Sequence, residues 1–205
     1  MIIGPKYKIC KRLGASVFEK CQTQKFALAE ARGGVKKKGK GGARGGSDFG
    51  AQLLEKQKAR FTYGLSEKQF SRYVKEAMEK KGVDSAKSLV TRLELRLDNV
   101  VYRLGLAKTR RQARQLVSHG HVTVNGRKMT VPSHGVGPGD TVAVRPESRQ
   151  SPLFKGVEES LVERRLPLWL SSGEGDLYAG TVQALEVPSG ELGFNPSVII
   201  QFYSR

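Results

Sequence analysis

Between Lys108 and His121 the chain carries Lys108, Arg110, Arg111 and Arg114 and not one aspartate or glutamate. Guanidinium groups at that density suit phosphate. Each is planar, permanently charged, able to make two parallel hydrogen bonds to an oxyanion, and able to stack on an exposed base. An ordinary solvated helix interleaves acids at a four-residue spacing, and this segment does not. At about 100° per residue, Arg110, Arg111, Arg114 and Ser118 share an arc of about 100°, while Ala113, Leu116 and Val117 fall together on another. Thr109 stands where such a helix needs an N-cap. After Gly120, Val122 and Val124 alternate with His121 and Thr123 as far as Asn125-Gly126, a strong two-residue hairpin signal. A cationic helix beside a hairpin makes a two-sided clamp for phosphates. His119, His121, Asn125, Arg127 and Lys128 flank it, either as further contacts or as turn and cap residues.

The neighbouring segments must hold that clamp. Pro138-Gly139-Asp140 reads as a turn ahead of a strand at Thr141 to Arg145, giving a small antiparallel sheet beside two helices. The helix before Thr109 carries Leu93, Leu97, Val100, Val101 and Leu104 in steps of four and three, with Gly105 at its C-terminal cap. Further upstream, Phe49, Leu53, Leu54 and Phe61 predict a helix from Ser47 to Tyr63-Gly64. Ser66-x-x-Gln69 then opens another through Phe70, Tyr73, Val74 and Ala77 to Gly82. On these helices Lys56, Lys58, Arg60, Lys68, Arg72 and Lys75 are candidate phosphate contacts, though surface helices are commonly charged. Residues 1–46 read as a flexible basic arm that orders on a partner. Lys6, Lys8, Lys11 and Arg12 lie at its start, and Lys36, Lys37, Lys38, Lys40 and Arg44 in its Gly/Lys-rich stretch. In the tail, Val157 to Leu161 begins a short amphipathic helix and VIIQFYSR predicts a strand.

Composition agrees with a polyanionic partner. The 205 residues include 36 Lys plus Arg against 19 Asp plus Glu, a formal charge of +17, and 38% apolar residues, enough for one or two modest cores. No apolar run approaches a membrane span and Met1 to Pro5 opens no export signal, so a cytoplasmic protein without a membrane partner is expected. Cys10 and Cys21 cannot build a disulfide framework and, in that compartment, are expected to stay reduced.

The stretch RLDNVVYRLGLAKTRRQARQLVSHGHVTVNGRK closely resembles the RNA-binding module named after small-subunit ribosomal protein four. FGAQLLEKQKARFTYGLSEKQFSRY resembles the helical domain of that bacterial ribosomal protein family, and GPKYKICKRLG and FYSR resemble its two ends. The resemblance implies an α+β fold in which the module, at 94–157, is inserted into a mostly helical domain formed by 47–93 and rejoined by 158–205. It also implies binding to the 5′ domain of 16S ribosomal RNA early in small-subunit assembly. Ribosomal protein five and messenger RNA where it enters the subunit would be neighbours, with an influence on decoding accuracy. The family's Pro-Pro-Gly-Gln-His-Gly-like turn is replaced here by RGGVKKKGKGGARGG. The four cysteines that bind zinc in some members are reduced to two, so no metal is expected.

Two motifs mislead. GVKKKGKG nearly spells a nucleotide-phosphate loop, yet Gly41 stands where a magnesium-binding Ser or Thr is needed and no apolar strand precedes it, so no nucleotide cofactor is expected. Arg96-Leu97-Asp98 resembles the catalytic triplet of pseudouridine synthases, but no separate catalytic domain remains to hold a uridine. A non-enzymatic ribosomal RNA-binding protein is therefore expected. An RNA-modifying enzyme and a regulatory RNA-binding protein are the alternatives.

Overall fold

A computed structural model describes residues 4–33, 48–154, 161, 166–173, 175–183 and 192–204. The chain divides into two compact units, Met1–Leu89 with Gly190–Arg205, and Val90–Ser189.

The first unit contains α1 (Lys6–Leu13), a 3-10 turn at Glu19–Cys21, α2 (Gln24–Gly33), α3 (Asp48–Thr62), α4 (Glu67–Glu79) and the first half of α5 (Ser85–Glu94). Over residues 4–33 the arm is thus more structured than its composition suggested, while 34–46 lie outside the described residues. Cys10, Phe18, Cys21 and Phe26 are buried together against Ile9, Val17 and Phe61, so residues 4–33 contain enough apolar surface to order two helices. The expectation of reduced thiols is also corrected. Gly14, left-handed at φ 61°, turns the chain back after α1 and brings Cys10 and Cys21 to a Cα separation of 6.7 Å, where they form a disulfide. Closing so short a loop stabilises by about 3 kcal/mol in the chain-entropy picture. Reduction, or Cys21→Ser, is therefore expected to lower the melting temperature of the helical unit. Identical melts with and without reductant would show that the bond contributes nothing.

The fourth helix follows its sequence signals. Ser66 accepts a hydrogen bond from the Gln69 backbone N–H at 3.3 Å, and Phe70, Tyr73, Val74 and Ala77 form its buried stripe. Gln69 departs from a full capping box, its side-chain amide donating instead to the Tyr73 hydroxyl. The C-terminus corrects a second expectation, for the predicted strand is a helix, α9 (Pro196–Tyr203). Asn195 caps it, its side-chain oxygen accepting from the Ser197 and Val198 N–H groups, and Pro196 occupies the first turn. That cap outweighs the β-branched run Val198-Ile199-Ile200.

Two acids of the unit anchor α9. Glu55 accepts from the Asn195 N–H at 2.7 Å, and Glu67 accepts from the Tyr203 hydroxyl at 2.9 Å and from the Lys56 ammonium at 2.8 Å. Burial pushes the Glu67 carboxyl up, but Lys56, Tyr203 and Arg60 outweigh it and hold the group below its ordinary value of 4.5. A depressed folded pKa stabilises at pH above the unfolded value, and the contribution is lost as pH falls through the folded one. Amide-exchange protection of α9 is therefore expected to decline below about pH 4.5, and Glu67→Gln should remove that dependence. An unchanged acid response in Glu67→Gln would contradict this anchoring.

The second unit holds α6 (Leu97–Arg103), α7 (Arg110–Ser118), β1 (Val122–Val124), β2 (Arg127–Met129), β3 (Thr141–Val144), α8 (Pro146–Arg149), β4 (Leu170–Gly173) and β5 (Asp176–Val182). The single helix expected through Leu93 and Leu104 is broken at Leu95-Arg96. Leu97 and Asp98 donate their N–H groups to the carbonyls of His134 and Pro132, and Val136 donates to Leu95. The Arg96 guanidinium, 1% exposed, is held by both oxygens of Asp98 at 3.0 and 2.7 Å. The apolar steps survive the break because Leu97, Val100, Val101 and Leu104 are still buried in one core. Gly105, at φ 70°, ends α6 as its position implied.

The sheet is antiparallel with strand order β2-β1-β3-β5-β4. Asn125 and Gly126, both at positive φ, turn the β1–β2 hairpin. Strands β4 and β5 have no counterpart among the expected elements; β5 pairs with β3 and β4 with β5, so they extend the sheet of the second unit. The helix expected from Val157 lies outside the described residues apart from Leu161, which is helical and buried. One core unites Leu97, Val100 and Val101 of α6 and Leu104 just after it, Ala113, Leu116 and Val117 of α7, and Val122, Val142, Val144, Leu170 and Val182 of the sheet. α6 approaches the sheet closely at Gly180, where a methyl group would collide with the Leu104 side chain.

Candidate nucleic-acid interface

The cationic helix starts and stops sharply. Thr109 accepts from the Gln112 N–H at 3.0 Å, and the Gln112 side chain reaches back to accept from the Lys108 N–H at 3.0 Å. At the other end Gly120, at φ 76°, lets its own N–H reach the Val117 carbonyl and the His121 N–H reach Leu116. Ala113, Leu116 and Val117 are buried, as the periodicity required, so Arg110, Arg111, Arg114 and Ser118 lie toward solvent.

The arginines on this face are not equivalent. Lys108 and Arg111 are exposed and form no ion pair with a described residue. Arg110 is half-buried. Its Nε donates to Asn99 Oδ1 at 2.8 Å and its guanidinium carbon lies 4.4 Å from the centre of the Tyr102 ring. Arg114 is also half-buried, and its carbonyl accepts from the Ser118 hydroxyl at 2.9 Å.

The hairpin adds two further cations beside the helix end. Arg127 and Lys128 are exposed on β2, at one end of the strand order. The Lys128 stem passes over Gly120, where a methyl group would collide with it. That glycine therefore serves both the helix end and the packing of the lysine. Arg145, which the charge pattern alone did not single out, donates to the Gly120 carbonyl at 3.4 Å and pairs with Glu147 at 3.2 Å. Its signal was weak because it follows a strand in isolation from other cations.

His121 and Asn125 occupy structural places. Burial, then the nearby charges of His119, Arg145 and Lys128, push the His121 imidazole below its ordinary value, so at neutral pH it is uncharged; its Nδ1 lies 3.0 Å from the Ser148 hydroxyl. The Asn125 amide donates to Asp140 at 2.7 Å while its oxygen accepts from the Thr141 N–H at 2.9 Å, closing the hairpin onto the turn before β3. The Gly137 N–H and the Asn125 amide hold the Asp140 carboxyl below its usual range, keeping that anchor ionised. His119 is exposed beside a small pocket of about 60 Å³ lined by Gln112, Gln115, Leu116, His121 and Leu153.

In the helical unit, described separately, four of the candidate cations on α3 and α4 have acidic partners. Lys56 is buried, bonded to Glu67, and its ammonium lies 4.6 Å from the Phe202 ring centre, a position that serves α9. Lys58 pairs with Glu55, Arg60 with Glu67 and Arg72 with Glu76. Lys68 and Lys75 are exposed on α4. On α1, Lys8, Lys11 and Arg12 are exposed, whereas Lys6 is half-buried with its ammonium 5.6 Å from the Phe18 ring centre. Lys36, Lys37, Lys38, Lys40 and Arg44 lie outside the described residues.

Among the described residues no group of three or more metal-ligating side chains comes together, and no helix is long and apolar enough to cross a membrane. Asp98, suspect as a catalytic carboxylate, has both oxygens on Arg96 and is 5% exposed, an arrangement suited to structure and closed to a substrate.

The Ribosomal protein S4/S9 N-terminal domain family matches residues 1–94 and the S4 domain family matches 95–142. The small ribosomal subunit protein uS4 of Roseiflexus castenholzii is 48% identical, with 99% of this chain and 98% of that protein covered. Those of Persephonella marina and Thermus thermophilus are 46% and 43% identical, again with at least 98% of each chain covered. At these identities over essentially the full length, the chain belongs to the small ribosomal subunit protein uS4 family.

Proposed function

We propose that this chain is a structural, non-enzymatic constituent of the small ribosomal subunit. It binds the 5′ domain of 16S ribosomal RNA and helps to nucleate assembly. The observation that carries this reading is the cationic face of α7 with Lys128 and Arg127 on the adjoining hairpin, all in one packed unit. Phosphate contacts by Lys108, Arg110, Arg111, Arg114, Arg127 and Lys128 position the protein, and the shape of the folded RNA supplies selectivity. His119 adds a polar edge. Lys8, Lys11 and Arg12, with the Gly/Lys-rich stretch at Lys36–Lys38, Lys40 and Arg44, add a second cationic element. Lys58, Arg60 and Arg72 contribute through the general field, their acidic partners reducing each one's share. Ribosomal protein five and messenger RNA entering the subunit are the neighbours this reading implies, with an influence on decoding accuracy.

The reading predicts that the protein remains at one copy per small subunit after a high-salt wash, and that its depletion stalls small-subunit assembly. Release on washing, with assembly intact, would identify a regulatory visitor instead.

A further inference from the structure

Arg110 is held by a chain of contacts that the charge pattern does not require. Glu94, fully buried at the end of α5, receives Arg103 on both carboxylate oxygens at 2.9 Å. The Asn99 amide nitrogen donates to one of those oxygens at 2.8 Å and to the Glu94 carbonyl at 2.9 Å. With two acceptors facing its nitrogen, the amide has only one chemically sensible orientation, and its oxygen must face the Arg110 Nε, which it accepts at 2.8 Å. The Tyr102 ring supports the guanidinium from one side. Asn99 itself is 2% exposed.

We propose that Asn99 is a positioning residue for RNA binding: it transmits the fixed geometry of the Glu94–Arg103 pair to Arg110 and presets the plane of that guanidinium for a backbone phosphate. The proposal rests on the RNA-binding reading given above. An arginine on a free stem loses rotamer freedom when it binds, and a bidentate contact requires the right plane as well as the right charge. Arg110 is already ordered, by a hydrogen bond that only its Nε can make and a ring contact suited to a flat cation. Arg111, exposed and without a described ion-pair partner, supplies charge without that constraint.

The test is equilibrium binding of the full chain to a transcript of the 5′ domain across a salt series. Arg110→Ala should weaken binding about tenfold. Arg110→Lys keeps the charge and hence the salt slope, but should still bind about threefold more weakly, because lysine can neither bond Asn99 from an Nε position nor lie flat on Tyr102. Asn99→Ala should weaken binding about threefold beside Arg110 and no further in the Arg110→Ala background. Parental affinity in Arg110→Lys overturns the proposal, as does an Asn99→Ala effect of equal size in both backgrounds, which would mark a purely structural residue. Parental affinity in Arg110→Ala would remove the RNA contact itself, and the proposal with it. Should Asn99→Ala fail to fold, Arg110→Lys and Tyr102→Leu decide the matter, since both substitutions fall at half-exposed positions.

Discussion

Changing Arg110, Arg111 and Arg114 together to alanine is expected to weaken binding to the 5′ domain by about two orders of magnitude at moderate salt and to flatten its salt dependence. Every phosphate that is no longer neutralised should reduce the slope of log affinity against log salt by about 0.7 to 0.9. The expectation follows from where these side chains lie. Their helix buries Ala113, Leu116 and Val117 on its other face, so alanine at the three positions leaves the core packing in place. Arg111 should contribute mainly charge, and Arg110 both charge and geometry. Circular dichroism would confirm that the triple variant is folded, with allowance for the missing Asn99 bond. Unchanged affinity and slope in a folded variant would reduce this face to a solvated surface.

Asp98→Ala is expected to destabilise the second unit by about 3–5 kcal/mol, because it removes the carboxylate from a guanidinium that remains buried. That is a large fraction of the stability of a domain this size. Urea unfolding would measure it. Replacing both partners by apolar residues of similar volume should recover much of the stability, since the cost lies in the orphaned charge rather than in the absence of the pair. A change below about 1 kcal/mol would show that the pair does not stabilise the break between α5 and α6. Incubation of the parent protein with uridine-labelled ribosomal RNA should yield no isomerised product, in keeping with an Asp98 whose oxygens are both taken by Arg96.

Local signals in the sequence were legible and non-local ones were not. The Thr109 and Ser66 caps, the Gly105 stop and the Asn125-Gly126 hairpin each depend on a few neighbouring residues, and each is present. The break at Leu95-Arg96 depends on backbone pairing with residues 132–136, far along the chain, and steps of four and three across it imitate one continuous helix. Strands β4 and β5 contain Ser171, Ser172, Gly173, Asp176 and Gly180, a poor strand composition made tolerable by pairing with β3 and by packing under Leu104. The C-terminal residues carried opposing cues, a β-branched run and an Asn-Pro cap, and the cap prevailed.

At the candidate interface the density of arginine was plain from the sequence, but its division of labour was not. Lys56 looks like any exposed helix cation until Glu67 and Phe202 enclose it. Arg110 looks like its neighbour Arg111 until Asn99 and Tyr102, 11 and 8 residues earlier in the numbering, take hold of it. Tyr102 and Arg103 each lie one helical turn from Asn99 on α6, and that spacing is the signal a sequence offers for such a support; the missing half, the buried Glu94, is supplied by the helix break between α5 and α6.

The most direct measurement is equilibrium binding of the purified protein to the 5′ domain of small-subunit ribosomal RNA across a salt series, with excess transfer RNA as competitor. Tight binding that survives the competitor is the predicted result, because phosphate contacts placed by one packed unit should recognise the shape of a particular folded RNA. Equal binding to both RNAs would contradict it and leave only a polycation of charge +17.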